Sequence, residues 1–256
     1  MKTISIAIPT YEMHGFGTTF LKRSLDAMIP QTFRDFEVVV TDNSINDAIE
    51  QLCKSSDYAS LDIQYFRNPR KGMAPNTNES ILRSTGRLIK ILYMDDYLAH
   101  PNALQEIVDN FKGNWMVTGC EHDNGGERYG THYPVYNNNN IVKNTIGSPS
   151  VLIIKNENPL LYDEKMTWLL DADYYKRLYD KYGSPTILNT VNIIIGIDKD
   201  QTTNHLSDKL KYNEANYLVK KYEKGFRRFY FILINYTKYR LRTVVKAIKK
   251  ILPKTV

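Results

Sequence analysis

Apolar positions along the first hundred residues arrive in two rhythms. "ISIAIPTY", "FEVVVTDNS" and "RLIKILYMDD" are nearly unbroken apolar runs of strand length, each ending in polar residues. Strands covered on both faces read this way, as in a parallel core sheet. Between them the spacing turns helical. "TTFLKRSLDAMIPQ" sets Phe20, Leu21, Leu25 and Met28 on one side, and "NDAIEQLCKSS" repeats the pattern. "PNTNESILRSTG" predicts a helix capped by Asn and closed by Gly86, and "PNALQEIVDNF" one with Pro at its N-terminus. With "DIQYFRN" as a short strand, this alternation predicts an α/β layer with a mainly parallel sheet.

After residue 113 the rhythm loosens. "NWMVTGCEHD" and "SVLIIKN" read as strands, "TWLLDADYYKRLYDKYG" as an amphipathic helix, and "TILNTVNIIIGI" as a last apolar strand. "DNGGERYGTHYPVYNNNN" is polar and rich in Gly and Asn, and reads as a long loop. There is no internal repeat, and the four Asn at 137–140 are too few for a low-complexity tract.

The chain has 256 residues, enough for one sizeable core with an appendage. Its two cysteines, Cys53 and Cys120, fit neither a disulfide framework nor a zinc motif, so a reducing compartment is expected. The opening residues lack a signal-peptide apolar stretch, and no apolar run reaches the roughly 18 residues of a membrane span. The net charge of +6 hides an asymmetry. From residue 220 onward, twelve Lys and Arg face a single acid, Glu223, so that segment carries +11; the 219 residues before it hold 22 bases and 27 acids, or −5. The pattern suggests a body that does chemistry and a tail that meets an anionic surface.

Ligands of open parallel sheets bind beyond the carboxyl ends of the strands. Those ends carry Thr10-Tyr11, Asp42-Asn43-Ser44 and the adjacent acids Asp95-Asp96, while the third strand leads into the basic loop Arg67-Asn68-Pro69-Arg70-Lys71-Gly72. Paired carboxylates facing a basic, glycine-containing loop suit a divalent cation bridged to a diphosphate.

In this order, "IAIPTYE", "VVVTDNS", "GMAPNTNESILRSTGRLIKILYMDD" and "YDEKMTWLLDADYYKRL" resemble the family 2 glycosyltransferases of the GT-A fold, over about residues 3–200. The resemblance implies inverting transfer of a sugar from a nucleotide diphosphate, a UDP-sugar by prior, to a hydroxyl, with Mn2+ or Mg2+ as cofactor. It implies Asp95 and Asp96 as metal-binding carboxylates, with Asp95 also on the donor; the family's further Asp two positions upstream is Tyr93 here. Asp42 would accept from the base, and Pro9, Thr10 and Tyr11 would line the base and ribose pocket. Asn78 matches an Asn of the family's Arg-Asn pair, whose Arg is Thr77 here. Spacing leaves open whether Arg67, Arg70 or Lys71 supplies the phosphate-side charge, with Gly72 beside them. Gly147 and Ser148 would allow close approach of the donor sugar. The family's acidic pair before an aromatic helix survives as Asp171 alone, because its first member is Leu170; Asp171 is the implied general base, with Asp173 in support. Trp168 could stack on a sugar, and His205 could ligate the metal as in some relatives.

The final stretch, "KGFRRFYFILINYTKYRLRTVVKAIKKILPKTV", interleaves bases with apolar residues near i, i+3, i+4 spacing and reads as an interfacial membrane helix. Its many aliphatics speak against nucleic acid. We therefore expect a catalytic domain over 1–212 and a helical tail over 213–256 that associates with membrane or with a second copy. The expected acceptor is a lipid-linked glycan of surface polysaccharide (lipopolysaccharide or capsule) at the cytoplasmic face of the cell membrane. The rival readings are a sugar nucleotidyltransferase and an inactive relative that only binds glycan or partner.

Overall fold

A computed structural model describes residues 1–136, 144–198 and 205–251. The chain forms two compact units, Met1–Asp200 and Gln201–Val256.

In the first unit, β1 (Ile4–Thr10), β2 (Phe36–Asp42), β3 (Ile63–Arg67) and β4 (Leu88–Ile91) form the parallel part of the sheet, in the order β3-β2-β1-β4. β2 and β4 are buried at every position, as their apolar runs require. β1 is flanked by β2 on one side and β4 on the other, so the strand order reverses there and opens a crevice at the carboxyl ends. The sheet then mixes direction. β8 (Leu152–Lys155) runs antiparallel to both β4 and β6 (Trp115–Asp123), β9 (Thr186–Gly196) pairs parallel with β6, and the two-residue β5 (Tyr97–Leu98) closes the edge antiparallel to β9.

Helices α1 (Gly17–Asp26), α2 (Ala48–Cys53), α3 (Met73–Arg83), α4 (Ala103–Asn110) and α5 (Leu170–Tyr182) cover the sheet. Leu21, Leu25 and Met28 are fully buried, as their spacing predicts. Three local expectations change. Helix α3 stops at Arg83, three residues before Gly86: Ser84 turns extended, and Glu37 Oε1 captures the Thr85 backbone N–H at 2.8 Å. Its N-cap position is Gly72; Asn76 and Asn78 lie buried inside the helix instead. The expected loop after residue 123 contains a strand, β7 (Arg128–His132), antiparallel to β6. Four of its five residues are exposed, so no apolar alternation marked it. The Asn tract at 137–140 lies outside the described residues.

The second unit is a pair of helices, α6 (Asp208–Tyr222) and α7 (Gly225–Ile251). Ser207 caps α6 by accepting from Leu210 N, and Gly225 joins the two helices at a left-handed φ of 52°. Contacts between them include the stacked rings of Tyr212 and Tyr239 (4.9 Å) and the amides of Asn216 and Asn235 (3.1 Å).

Candidate active site

Two loops at the ends of β2 and β3 are knitted together by amides. Asn43 donates to the carbonyls of Asn68 and Arg70, and its Oδ1 accepts from Gly72 N. Asn76 donates to the carbonyls of Thr10 and Thr41, so one side chain bridges the ends of β1 and β2. Asp42 is fully buried; it accepts from Ser44 N (2.8 Å) and Tyr65 OH (2.8 Å) and faces Arg67 at 3.5 Å. Arg67 also donates to the carbonyls of Ser44 and Asn46 and pairs with Asp47. Lys71 Nζ donates to the Asn43 carbonyl, and Arg70 pairs with Glu164. All three bases of this loop thus have protein partners. Thr10 is buried and Pro9 and Tyr11 are half-buried at the end of β1. Asn78 lies deeper. Its amide joins the Tyr162 backbone, N–H and C=O alike, and Glu164.

Past the next strand in the sheet lie Asp95 and Asp96. Asp96 is 3% exposed; its Oδ1 accepts from Gly196 N at 3.0 Å, and Ser148 Oγ stands 3.4 Å from its Oδ2. Burial pushes both carboxyls upward, and the neighbouring Asp95 charge raises Asp96 further. Arg23, reaching from α1, donates to the Asp95 carbonyl, pairs with Asp123 at 3.5 Å and lies over the Tyr97 ring. A Cβ at Gly196 would overlap the Asp95 carbonyl and the Arg23 guanidinium, so glycine lets β9 close on this turn. Beneath the pair, Lys90 is wholly buried in β4 and donates to the Ser150 carbonyl; burial holds its ammonium down to about 7. Ser150 Oγ accepts from Tyr93 N at 2.9 Å.

The fit of this turn to a divalent cation can be judged from its donor set. Two adjacent carboxylates at a strand exit, with Asp95 half-buried, are hard oxygen ligands of the kind that Mg2+ and Mn2+ accept from protein, where diphosphate oxygens and water would complete the shell. Among the described residues no group of three or more His, Cys, Asp or Glu side chains could hold a metal. His205 is exposed and belongs to the second unit.

Helix α5 brings Asp171 and Asp173. Asp173 is fully buried and paired with Arg177 at 2.7 Å, which in turn donates to the Leu161 carbonyl. Asp171 is half-buried; its Oδ2 accepts from Asn144 at 2.6 Å, and its Oδ1 from Ala172 N. Gly147, at φ 124°, and Ser148 are tied to the same helix through Tyr175, whose hydroxyl donates to the Ser148 carbonyl at 3.0 Å. Trp168 is half-buried just before α5. Sequence reasoning missed Arg23, Asn144, Ser150 and Gly196; Arg23, Ser150 and Gly196 lie in runs read as a helix and two strands, with nothing in the runs to mark them as site residues. Asn43 was named only as part of a polar strand end, and Asn76, inside α3, was passed over.

The chain resembles known proteins in sequence and in fold. A sequence model of the family "Glycosyl transferase family 2" matches residues 5–158. Glycosyltransferase GlyA of Streptococcus pneumoniae is 24% identical over 95 residues, 37% of this chain and 13% of that protein. The bifunctional glycosyltransferase pgtA of Dictyostelium discoideum is 27% identical over 132 residues, 50% of this chain and 16% of that one. The chain thus spans less than a fifth of the length of these relatives. Among solved structures, S. aureus TarS 1-349 in complex with UDP-GlcNAc superposes with a TM-score of 0.65 at 15% identity, covering 91% of this chain and 70% of TarS 1-349. The mannosyltransferase PcManGT of Pyrobaculum calidifontis, in complex with GDP-Man and Mn2+, gives 0.57 at 15% identity, covering 94% and 70%. These likenesses show the same GT-A architecture, and the family match takes in β1 through β8 with the Asp95-Asp96 turn: the chain belongs to glycosyl transferase family 2.

Proposed function

We propose that this chain transfers a sugar, with inversion, from a nucleoside-diphosphate donor to a hydroxyl of a lipid-linked glycan acceptor. The observation that carries the reading is the Asp95-Asp96 turn at the exit of β4, held by Gly196 and Ser148, with Asp171 tied to the same Gly147-Ser148 loop through Asn144. The donor class is supported by the neighbours, whose complexes hold UDP-GlcNAc and GDP-Man.

Asp95 and Asp96 would hold Mn2+ or Mg2+, and neutralising the charge of the departing diphosphate is the chemistry such a cation supplies when bound. Thr10, Tyr11 and Asp42 take the nucleoside at the ends of β1 and β2. Asp171 accepts the proton of the acceptor hydroxyl as that oxygen bonds to the anomeric carbon. The anomeric C–O bond to the diphosphate breaks on the opposite face, its electron pair leaving with the nucleoside diphosphate.

The tail supports a membrane address. On α7, Phe226, Phe229, Tyr230, Leu233, Leu241 and Val244 recur at helical spacing and are all about half-exposed or more, flanked by Arg227, Lys238 and Arg242. An apolar stripe bordered by bases suits the headgroup boundary of an anionic leaflet. Among the described residues no helix is long and apolar enough to cross a membrane. We read the chain as lying on the cytoplasmic face of the cell membrane in the synthesis of surface polysaccharide such as lipopolysaccharide or capsule, with the tail binding lipid or a second copy.

Hydrolysis of a panel of UDP-, GDP-, dTDP- and CMP-sugars with Mn2+ tests the reading. Slow release of nucleoside diphosphate from one donor, abolished in the Asp95→Asn/Asp96→Asn variant, supports it. Formation of nucleoside triphosphate and sugar 1-phosphate when pyrophosphate is added would instead favour a nucleotidyltransferase, and no turnover together with no donor binding an inactive relative.

A further inference from the structure

We infer that Asn144 is the positioning residue of the proposed reaction: it fixes the Asp171 carboxylate and couples it to the loop beside the acid pair. The inference rests on the reading of Asp171 as the base.

An Asn side chain has two N–H donors and two acceptor lone pairs, and Asn144 uses all four. Its Oδ1 accepts from the backbone N–H groups of Ile146 (2.9 Å) and Gly147 (3.1 Å), closing a tight turn. Its Nδ2 donates to the Gly147 carbonyl (2.9 Å) and to Asp171 Oδ2 (2.6 Å). The chain continues from that turn into Ser148, whose hydroxyl stands against Asp96 Oδ2. One path of contacts therefore runs Asp171–Asn144–Gly147–Ser148–Asp96, from the group that takes the proton to the group that faces the leaving diphosphate.

The other oxygen of the Asp171 carboxylate, Oδ1, accepts from Ala172 N on its own helix, so the Asn144 bond ties it across to the Gly147-Ser148 loop. A hydrogen bond from an amide orients that carboxylate and leaves it unprotonated, as a base requires. Three phenols in the neighbourhood, Tyr93 at the end of β4, Tyr162 before α5 and Tyr175 on α5 itself, are pushed upward by burial and, to a smaller extent, by the Asp171 charge.

Two substitutions separate positioning from mere support. Asn144→Ala removes all four bonds. Asn144→Asp keeps both acceptor bonds of the turn and replaces the donor facing Asp171 with another carboxylate. Steady-state hydrolysis of UDP-N-acetylglucosamine and GDP-mannose with Mn2+, with melting temperature alongside, is the assay. Both variants are expected to lose about 10- to 100-fold in kcat while KM for the donor changes less than about twofold. Each is assayed well below its own melting temperature, because both lose bonds of the turn and Asn144→Asp also sets a carboxylate against Asp171. Wild-type kcat in Asn144→Asp, or a kcat loss matched by a rise in KM, overturns the inference. If Asp171→Asn retains wild-type kcat, the base assignment falls and this inference with it. If Asp171→Asn is dead while Asn144→Asp is not, the role of Asn144 alone falls.

Discussion

The hydroxyls of Tyr93 and Thr77 lie 3.4 Å apart, a neutral contact between the exit of β4 and helix α3. Tyr93 is half-buried and Thr77 fully buried, so a charge placed at one position would face the other across this gap.

That relationship predicts a reciprocal effect. Tyr93→Asp alone adds an acid beside Asp95, Asp96 and Asp171 with no cation to answer it, at a cost of about 3 kcal/mol. Adding Thr77→Arg restores a counter-charge and recovers at least half of that loss. Urea unfolding of the two single variants and the double variant measures the coupling, and strict additivity would show that the pair is accidental.

Gly196 makes a sharper steric prediction. A methyl group there meets the Asp95 carbonyl and Arg23. Gly196→Ala should therefore lower stability by about 2 kcal/mol and weaken Mn2+-dependent donor binding together. Calorimetric titration of donor with and without Mn2+ reads the second effect.

The buried Lys90 predicts a pH dependence of stability. Its folded pKa, held near 7, lies below the unfolded value near 10.5. The unfolded chain therefore binds more protons between those values, and the lysine's destabilising contribution is full below about pH 7 and fades as pH rises towards 10.5. Lys90→Met should be more stable than wild type at pH 7, by an amount bounded at about 5 kcal/mol, and the two should converge by pH 10. Melting curves across this range check the sign; a gap that widens with pH would contradict it.

On the second unit, truncation after residue 224 removes α7 with its exposed apolar stripe and most of the basic charge. The shortened chain should fail to sediment with vesicles of anionic lipid while binding donor normally. Full-length protein should bind those vesicles less as salt rises, because bases near an anionic leaflet contribute about 1 kcal/mol each and are screened.

Much of the fold and part of the site were legible from the sequence. β1, β2 and β4 announced themselves because strands buried on both faces need unbroken apolar runs, and Asp42 and Asp95-Asp96 stood out as acids ending such runs. β7 left no trace, because an exposed hairpin strand containing Gly130 has no face to bury. Helix α6 was expected only as part of a helical tail from residue 213, and it begins earlier, at Asp208. Asn144, Arg23 and Gly196 act through partners 27, 72 and 100 residues away, for Asp171, Asp95 and Asp96 respectively, and such long-range contacts have no local signature. The basic loop was legible as charge. Its attachments were not: Arg67, Arg70 and Lys71 are spent on Asp42 and Asp47, on Glu164 and on the Asn43 carbonyl.

The central claim is that Asp95 and Asp96 jointly grip a divalent ion against the donor's diphosphate. A crystal soaked with Mn2+ and the donor, measured at a wavelength where manganese scatters anomalously, tests it most directly. The account predicts an anomalous peak within about 2.3 Å of a carboxylate oxygen of this pair and touching both phosphates. A bound donor with no manganese peak at these acids would contradict it.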